Sequence, residues 1–139
     1  MSGEHSPVLW LGQVAVISLP VEIDPVNAGQ VRDDLLSVLN RSPSTLIVDM
    51  SGTTFCDSAG VNALVRAYKR ACACGAVMRL VVTAPSVRRV LAITGVDSLV
   101  DVYPSVAAAL TDEPSQSRKP RPGYAGTQTD PDGWAAQPS

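Results

Sequence analysis

Thr45-Leu46-Ile47-Val48-Asp49-Met50, the polar loop Ser51 to Asp57, and the helical pattern that opens at Ser58-Ala59-Gly60 together decide the fold of this chain. The first run is apolar almost without a break, the mark of a strand buried on both faces within an α/β sheet. The segment after the loop changes period. From Ser58 to Cys74, Val61, Leu64, Val65, Tyr68 and Cys72 fall on one side of a helix, with Arg66, Lys69 and Arg70 mostly on the other. Gly75 supplies its C-cap.

Working outward, Val8–Leu11 and Val14–Leu19 are β-branched and aromatic runs split by Gly12-Gln13, which predicts a hairpin. Asp24 as N-cap and Pro25 in the first helical position open a helix that carries Val31, Leu35, Val38 and Leu39 and ends near Asn40. Downstream, the pattern predicts a strand over Ala76–Thr83, a helix over Pro85–Thr94 stopped by Gly95, a strand over Ser98–Val102 and a last helix over Pro104–Thr111. The order is ββαβαβαβα: an α/β domain with four helices and a mixed, mostly parallel sheet that carries one antiparallel edge. In such sheets, ligands and partners meet the loops at the carboxyl ends of the strands. Two of those loops are polar, Glu22-Ile23-Asp24 and Asp49 to Ser58.

With 139 residues, the chain fits one domain. That domain is expected over residues 8–111, after a flexible N-terminus, residues 1–7. The last 28 residues, from Asp112, hold no Val, Ile, Leu, Met, Phe or Cys, but five of the eleven prolines. Burial there cannot offset ordering entropy, so residues 112–139 are expected to be disordered, with Tyr124 and Trp134 as their only adhesive points. A net charge of −2 disfavours nucleic acid as a partner. The apolar stretch Val8 to Leu19 is interrupted by Gly12-Gln13 and preceded by Glu4, so neither a membrane span nor a secretory signal fits, and a cytoplasmic location is expected.

Enzymatic readings lack their parts. The one histidine, His5, lies outside the predicted core, so no histidine-based triad or acid–base system can be assembled. Cys72-Ala73-Cys74 lacks zinc spacing and companion ligands, and the phosphate-cradling glycine motifs are missing. No metal or cofactor is therefore expected. Asp49 at the end of an apolar strand is also how a receiver domain presents its phosphoacceptor. A receiver, however, needs an acidic pair after its first strand and a lysine after its last; here those regions read Ser18-Leu19-Pro20 and Val96 to Tyr103. Three cysteines leave a thiol redox reading open: Cys56 near a helix start is a candidate for a lowered pKa. Cys72 and Cys74 point to different faces of their helix, and Cys56 lies about 24 Å from Cys72, so no internal bridge is expected.

Phe55-Cys56-Asp57-Ser58-Ala59-Gly60 remains. An Asp or Ser ahead of an apolar-periodic segment is ordinary helix capping. The same position has a second consequence. A hydroxyl at a helix N-terminus can accept a phosphoryl group without unfolding the helix, because amide groups and the helix dipole favour negative charge there. Gly60, one turn in, is expected to leave the backbone approachable, and Asp24 to stand on the neighbouring loop.

Thr45-Leu46-Ile47-Val48-Asp49-Met50-Ser51-Gly52 followed by Phe55-Cys56-Asp57-Ser58-Ala59-Gly60 closely resembles the signature of STAS domains, specifically bacterial anti-sigma factor antagonists. Val21-Glu22-Ile23-Asp24 and Thr94-Gly95-Val96 extend the resemblance over residues 8 to 111. Val21 stands where that family usually has glycine, and Ala59 where a second hydroxyl is frequent. The resemblance implies a non-enzymatic regulator whose Ser58 is phosphorylated by an anti-sigma factor that is itself a serine kinase. Unphosphorylated, the chain is expected to bind that kinase through Asp24, Asp57, Ser58, Ala59, Gly60 and Asn62, releasing a sigma factor. A small-molecule or nucleotide sensor using the loops around Asp24 and Asp57 is the other reading the fold leaves open.

Overall fold

The computed structural model of the chain describes residues 6–111. His5, most of the expected flexible N-terminus, and the expected tail with Tyr124 and Trp134 lie outside them. Strands β1 (Val8–Leu11) and β2 (Val14–Ser18) form the predicted hairpin, with Gly12 at φ 63° in its two-residue turn. There follow β3 (Glu22–Ile23), α1 (Ala28–Leu39), β4 (Thr45–Met50), β5 (Phe55–Cys56), α2 (Ser58–Cys74), β6 (Val77–Val82), α3 (Pro85–Thr94), α4 (Val96–Leu99), β7 (Asp101–Tyr103) and α5 (Val106–Thr111). Five strands make one sheet in the order β1-β2-β4-β6-β7, parallel except for the β1–β2 edge. At the start of the described chain, Ser6 N donates to Asp34 Oδ2 at 2.8 Å, and Pro7 O accepts from Ser18 N at 3.0 Å.

Residue alternation divides the sheet. Ala15, Ile17, Leu46, Val48, Met50, Met78, Leu80 and Val82 face the helices of one layer, where α1 contributes Val31, Leu35 and Leu39, and α2 contributes Leu64, Ala67 and Ala71. Val16, Ile47 and Val81 point the other way and meet Ala109 of α5. Thus β4, read as buried on both faces, is covered by both layers, as are its neighbours β2 and β6. Under α5, the buried Arg79 donates Nη1 to Ala109 O at 2.7 Å and lies over the Tyr103 ring, tying that short helix to the sheet.

Several expectations are corrected. Asp24 caps the turn that Pro25 opens, its carboxylate accepting from Val26 N and Asn27 N and its carbonyl from Asn27 N and Ala28 N, but Asn27 at φ −111°, ψ −4° breaks the turn from the helix, so regular α1 begins at Ala28, not at Pro25. Helices number five among the described residues, since Val96–Leu99 is helical and the strand expected over Ser98–Val102 starts only at Asp101. Val96, Leu99 and Val100 have the i, i+3, i+4 spacing of a helix, and Gly95 at φ 85° both ends α3 and admits the new turn. The last helix starts at Val106, two residues after Pro104. Strands β3 and β5 were expected as loop.

Leu64 has no exposed surface and sits where α2 meets the sheet, so Leu64→Ala is expected to lower the unfolding free energy by about 2–5 kcal/mol in urea melts. Leu9→Ala on the exposed edge strand is expected to change it by no more than about 0.5 kcal/mol.

Candidate functional site

The loops that leave β2 and β4 are knitted together by three backbone hydrogen bonds and one from a buried threonine hydroxyl. Leu19 N donates to Asp49 O at 3.0 Å, Thr53 Oγ1 to Pro20 O at 2.7 Å, Thr54 N to Val21 O at 2.8 Å and Asp57 N to Ile23 O at 3.2 Å. Within this seam, β3 and β5 pair in parallel, Glu22 beside Phe55 and Ile23 beside Cys56. Ile23 and Cys56 are buried beneath; Glu22 and Phe55 are exposed above. The seam therefore brings the two polar loops onto one rim, with Asp24 leaving one strand as Asp57 and Ser58 leave the other.

At Asp57 the backbone is extended, and the carboxylate Oδ1 accepts from Ala59 N at 2.9 Å and Gly60 N at 3.3 Å. Asp57 is thus the N-cap of α2, as local capping requires. Ser58, the first helical residue, is exposed, and so is Asn62 one turn on; Ala59 is half-buried. Asp24 is half-buried too. Its Oδ1 accepts from Val26 N at 3.0 Å and Asn27 N at 3.3 Å, while Asn27 Oδ1 accepts from Asp24 N at 3.0 Å. Both carboxylates are held on the rim by their own loops.

Gly60 has a different task from the one its position suggested. It is buried, and a Cβ built on it would lie 2.6 Å from Cys56 Sγ and 2.8 Å from Ile23 Cγ2. The missing side chain lets α2 settle onto the β3–β5 seam; it exposes no backbone. Cys56 also departs from its expectation. Burial, with the Asp57 charge beside it as the second cause, pushes its thiol up to about 11, so at neutral pH it is protonated and a poor nucleophile. Cys72 and Cys74 are free and exposed.

Three exposed apolar side chains belong to the same loops: Val21 at 59% exposure, Val26 at 93% and Phe55 at 49%. No pattern of periodicity marks them, since Val21 and Val26 sit between elements and Phe55 in a strand of two residues; what singles them out is a large apolar side chain within a polar segment. Beside the rim, an open groove of about 510 Å³ runs between α1 and α2, with Ala59 and Asn62 on its wall. Among the described residues, no three His, Cys, Asp or Glu side chains are grouped to hold a metal ion, and no helix is long and apolar enough to cross a membrane.

Residues 10–109 match the family model described as the STAS domain. The chain is similar to solved structures of an anti-sigma factor antagonist from Mycobacterium paratuberculosis (28% identity, TM-score 0.71, covering 80% of this chain and 95% of that one) and of an anti-sigma-factor antagonist (STAS) domain protein from Planctomyces limnophilus (25%, 0.69, 76% and 94%). The fold is also that of the anti-sigma factor antagonist SpoIIAA in its unphosphorylated form (20%, 0.65, 76% and 92%). A search of curated proteins finds no match.

Two outcomes follow from this geometry. In the folded protein at pH 8, a thiol reagent is expected to label Cys72 and Cys74 promptly and Cys56 only after denaturant is added; prompt labelling of all three contradicts the burial of Cys56. Asp57→Ala removes the acceptor of two amides and is expected to cost about 1 kcal/mol, read as a melting temperature lower by a few degrees.

Proposed function

The chain belongs to the STAS domain family, and we propose that within it this protein is an anti-sigma factor antagonist switched by phosphorylation of Ser58. Unphosphorylated, it binds an anti-sigma factor that is also a serine kinase and so frees a sigma factor; phosphorylated, it lets go. The kinase brings its own ATP, the chain contributes no catalysis, and both act in the cytoplasm. The partner-binding unit is the domain over residues 8–111, and its contact face comprises Asp24, Asp57, Ser58, Ala59 and Asn62, supported from beneath by Gly60.

The observation that carries this reading is an exposed hydroxyl at the first position of α2, next to a helix cap that is already occupied. Asp57 Oδ1 holds the amides of Ala59 and Gly60, and the Asp57 carbonyl accepts from Val61 N at 3.0 Å. A phosphate on Ser58 therefore finds the amide cradle filled by a carboxylate and projects into solvent. Its roughly two negative charges leave the scaffold alone and join Asp24 and Asp57 on the docking rim. Val21, Val26 and Phe55 supply apolar contact around that charge, the arrangement of an interface whose desolvated centre is intolerant of an unpaired anion. A hundredfold loss of affinity needs only about 2.7 kcal/mol.

The test is direct. With the cognate kinase, Ser58→Asp is expected to bind at least about a hundredfold more weakly than wild type, while Ser58→Ala binds normally and takes no label from ATP. Equal binding by the two variants refutes the switch. Asp24→Ala is expected to weaken the complex without changing the melting temperature by more than a few degrees; unchanged affinity removes Asp24 from the contact face.

A further inference from the structure

We propose that the groove between α1 and α2 seats an acidic α-helical segment of a partner protein. Its lining includes small residues, Ala28 and Gly29 on α1, Ala59 and Ala63 on α2. Arg32, Arg66 and Lys69 line it as well, and the lining holds no carboxylate. This is a positive trough on a chain whose net charge is −2, so its sign is a local arrangement and not a reflection of composition. Arg66 and Lys69 are exposed, and Arg32 is engaged only in an exposed pair with Asp33 at 3.1 Å, an interaction weak enough to be exchanged for a partner's carboxylate.

Backbone chemistry selects the form of the occupant. Both walls are helices, whose amides and carbonyls are spent within themselves, so the trough offers no ladder to an extended strand. An occupant must satisfy its own backbone, and a helix does so. Small lining residues allow helix axes to approach to about 8–10 Å. From Ala59 to Lys69 the wall runs about 15 Å, the length of a three-turn helix. Arg66 and Lys69 are three residues apart on one face of α2, matching carboxylates one turn apart on the facing helix. The groove opens at Ala59 and Asn62 onto the Ser58 rim, but the assignment does not depend on that serine being phosphorylated.

The probe is a synthetic helical peptide of about twelve residues, three turns, with Ala as background and Glu at i, i+4 spacing; its control carries Gln in place of Glu. Titrated into the isotope-labelled full chain, the Glu peptide is expected to shift amide resonances of residues 28–32 and 59–69. The double variant R66E/K69E, checked as folded by circular dichroism, is expected to bind at least about tenfold more weakly. R88E/R89E, which reverses two exposed charges on α3, is expected to bind as wild type does. The proposal is overturned if the Gln peptide binds equally, if R88E/R89E loses as much as R66E/K69E, if no shifts occur, or if inorganic phosphate at the same concentration reproduces them. None of these outcomes involves labelling of Ser58, so failure here and failure of the phosphorylation switch are told apart.

Discussion

The seam of hydrogen bonds between residues 20–23 and 53–57, donated by main-chain amides and the buried Thr53 hydroxyl, is the constraint on which the site depends. Parallel strands deliver loops to the same end of a sheet but do not fix their relative position. Here, two-residue strands lock the loop after β2 to the loop after β4, and Gly60 lets α2 rest on the joint with no side chain between. The start of α2, and with it Ser58, is therefore set by main-chain geometry and by the buried pair Ile23 and Cys56, not by exposed side chains.

That arrangement separates what the site needs for folding from what it displays. Asp57 is inward work: it satisfies two amides that otherwise lack acceptors. Ser58 is outward, and nothing in the folding of α2 requires its hydroxyl. On the proposed reading, a phosphate on Ser58 acts on the surface alone, beside the carboxylates of Asp24 and Asp57. The basic groove next to it gives the same face an opposite pole. For the partners proposed above, a face with acidic loops at one end and cations at the other would fix the docking orientation.

Much of this was legible in the residues. β4, α2 and α3 begin and end where their patterns place them, because each has strong punctuation: an apolar run of strand length, Asp57 and Gly75 around α2, Pro85 and Gly95 around α3. The Asp57-Ser58 loop stands out in the sequence as the polar punctuation between a buried strand and an amphipathic helix. The losses have physical reasons. Two residues are too few for alternation to be read, so β3 and β5 were invisible, and with them the seam. At Asp24 the cap chemistry was read but not the extra turn it stabilises. Cys56 lies near a helix start, where the dipole lowers a thiol pKa, but the sequence does not display its burial, which outweighs that effect and raises it. The groove arises from the packing of α1 on α2 and has no signature along the chain.

The central claim is that a phosphate on Ser58 stays outside the helix cap. Nuclear magnetic resonance of the chain carrying phosphoserine at position 58 tests it most directly, through the amide protons of Ala59 and Gly60. The account predicts that both remain bonded to the Asp57 carboxylate, with shifts close to those of the unmodified protein, while resonances on the exposed rim move. A large downfield shift of both amides on phosphorylation, with release of the Asp57 side chain, contradicts it.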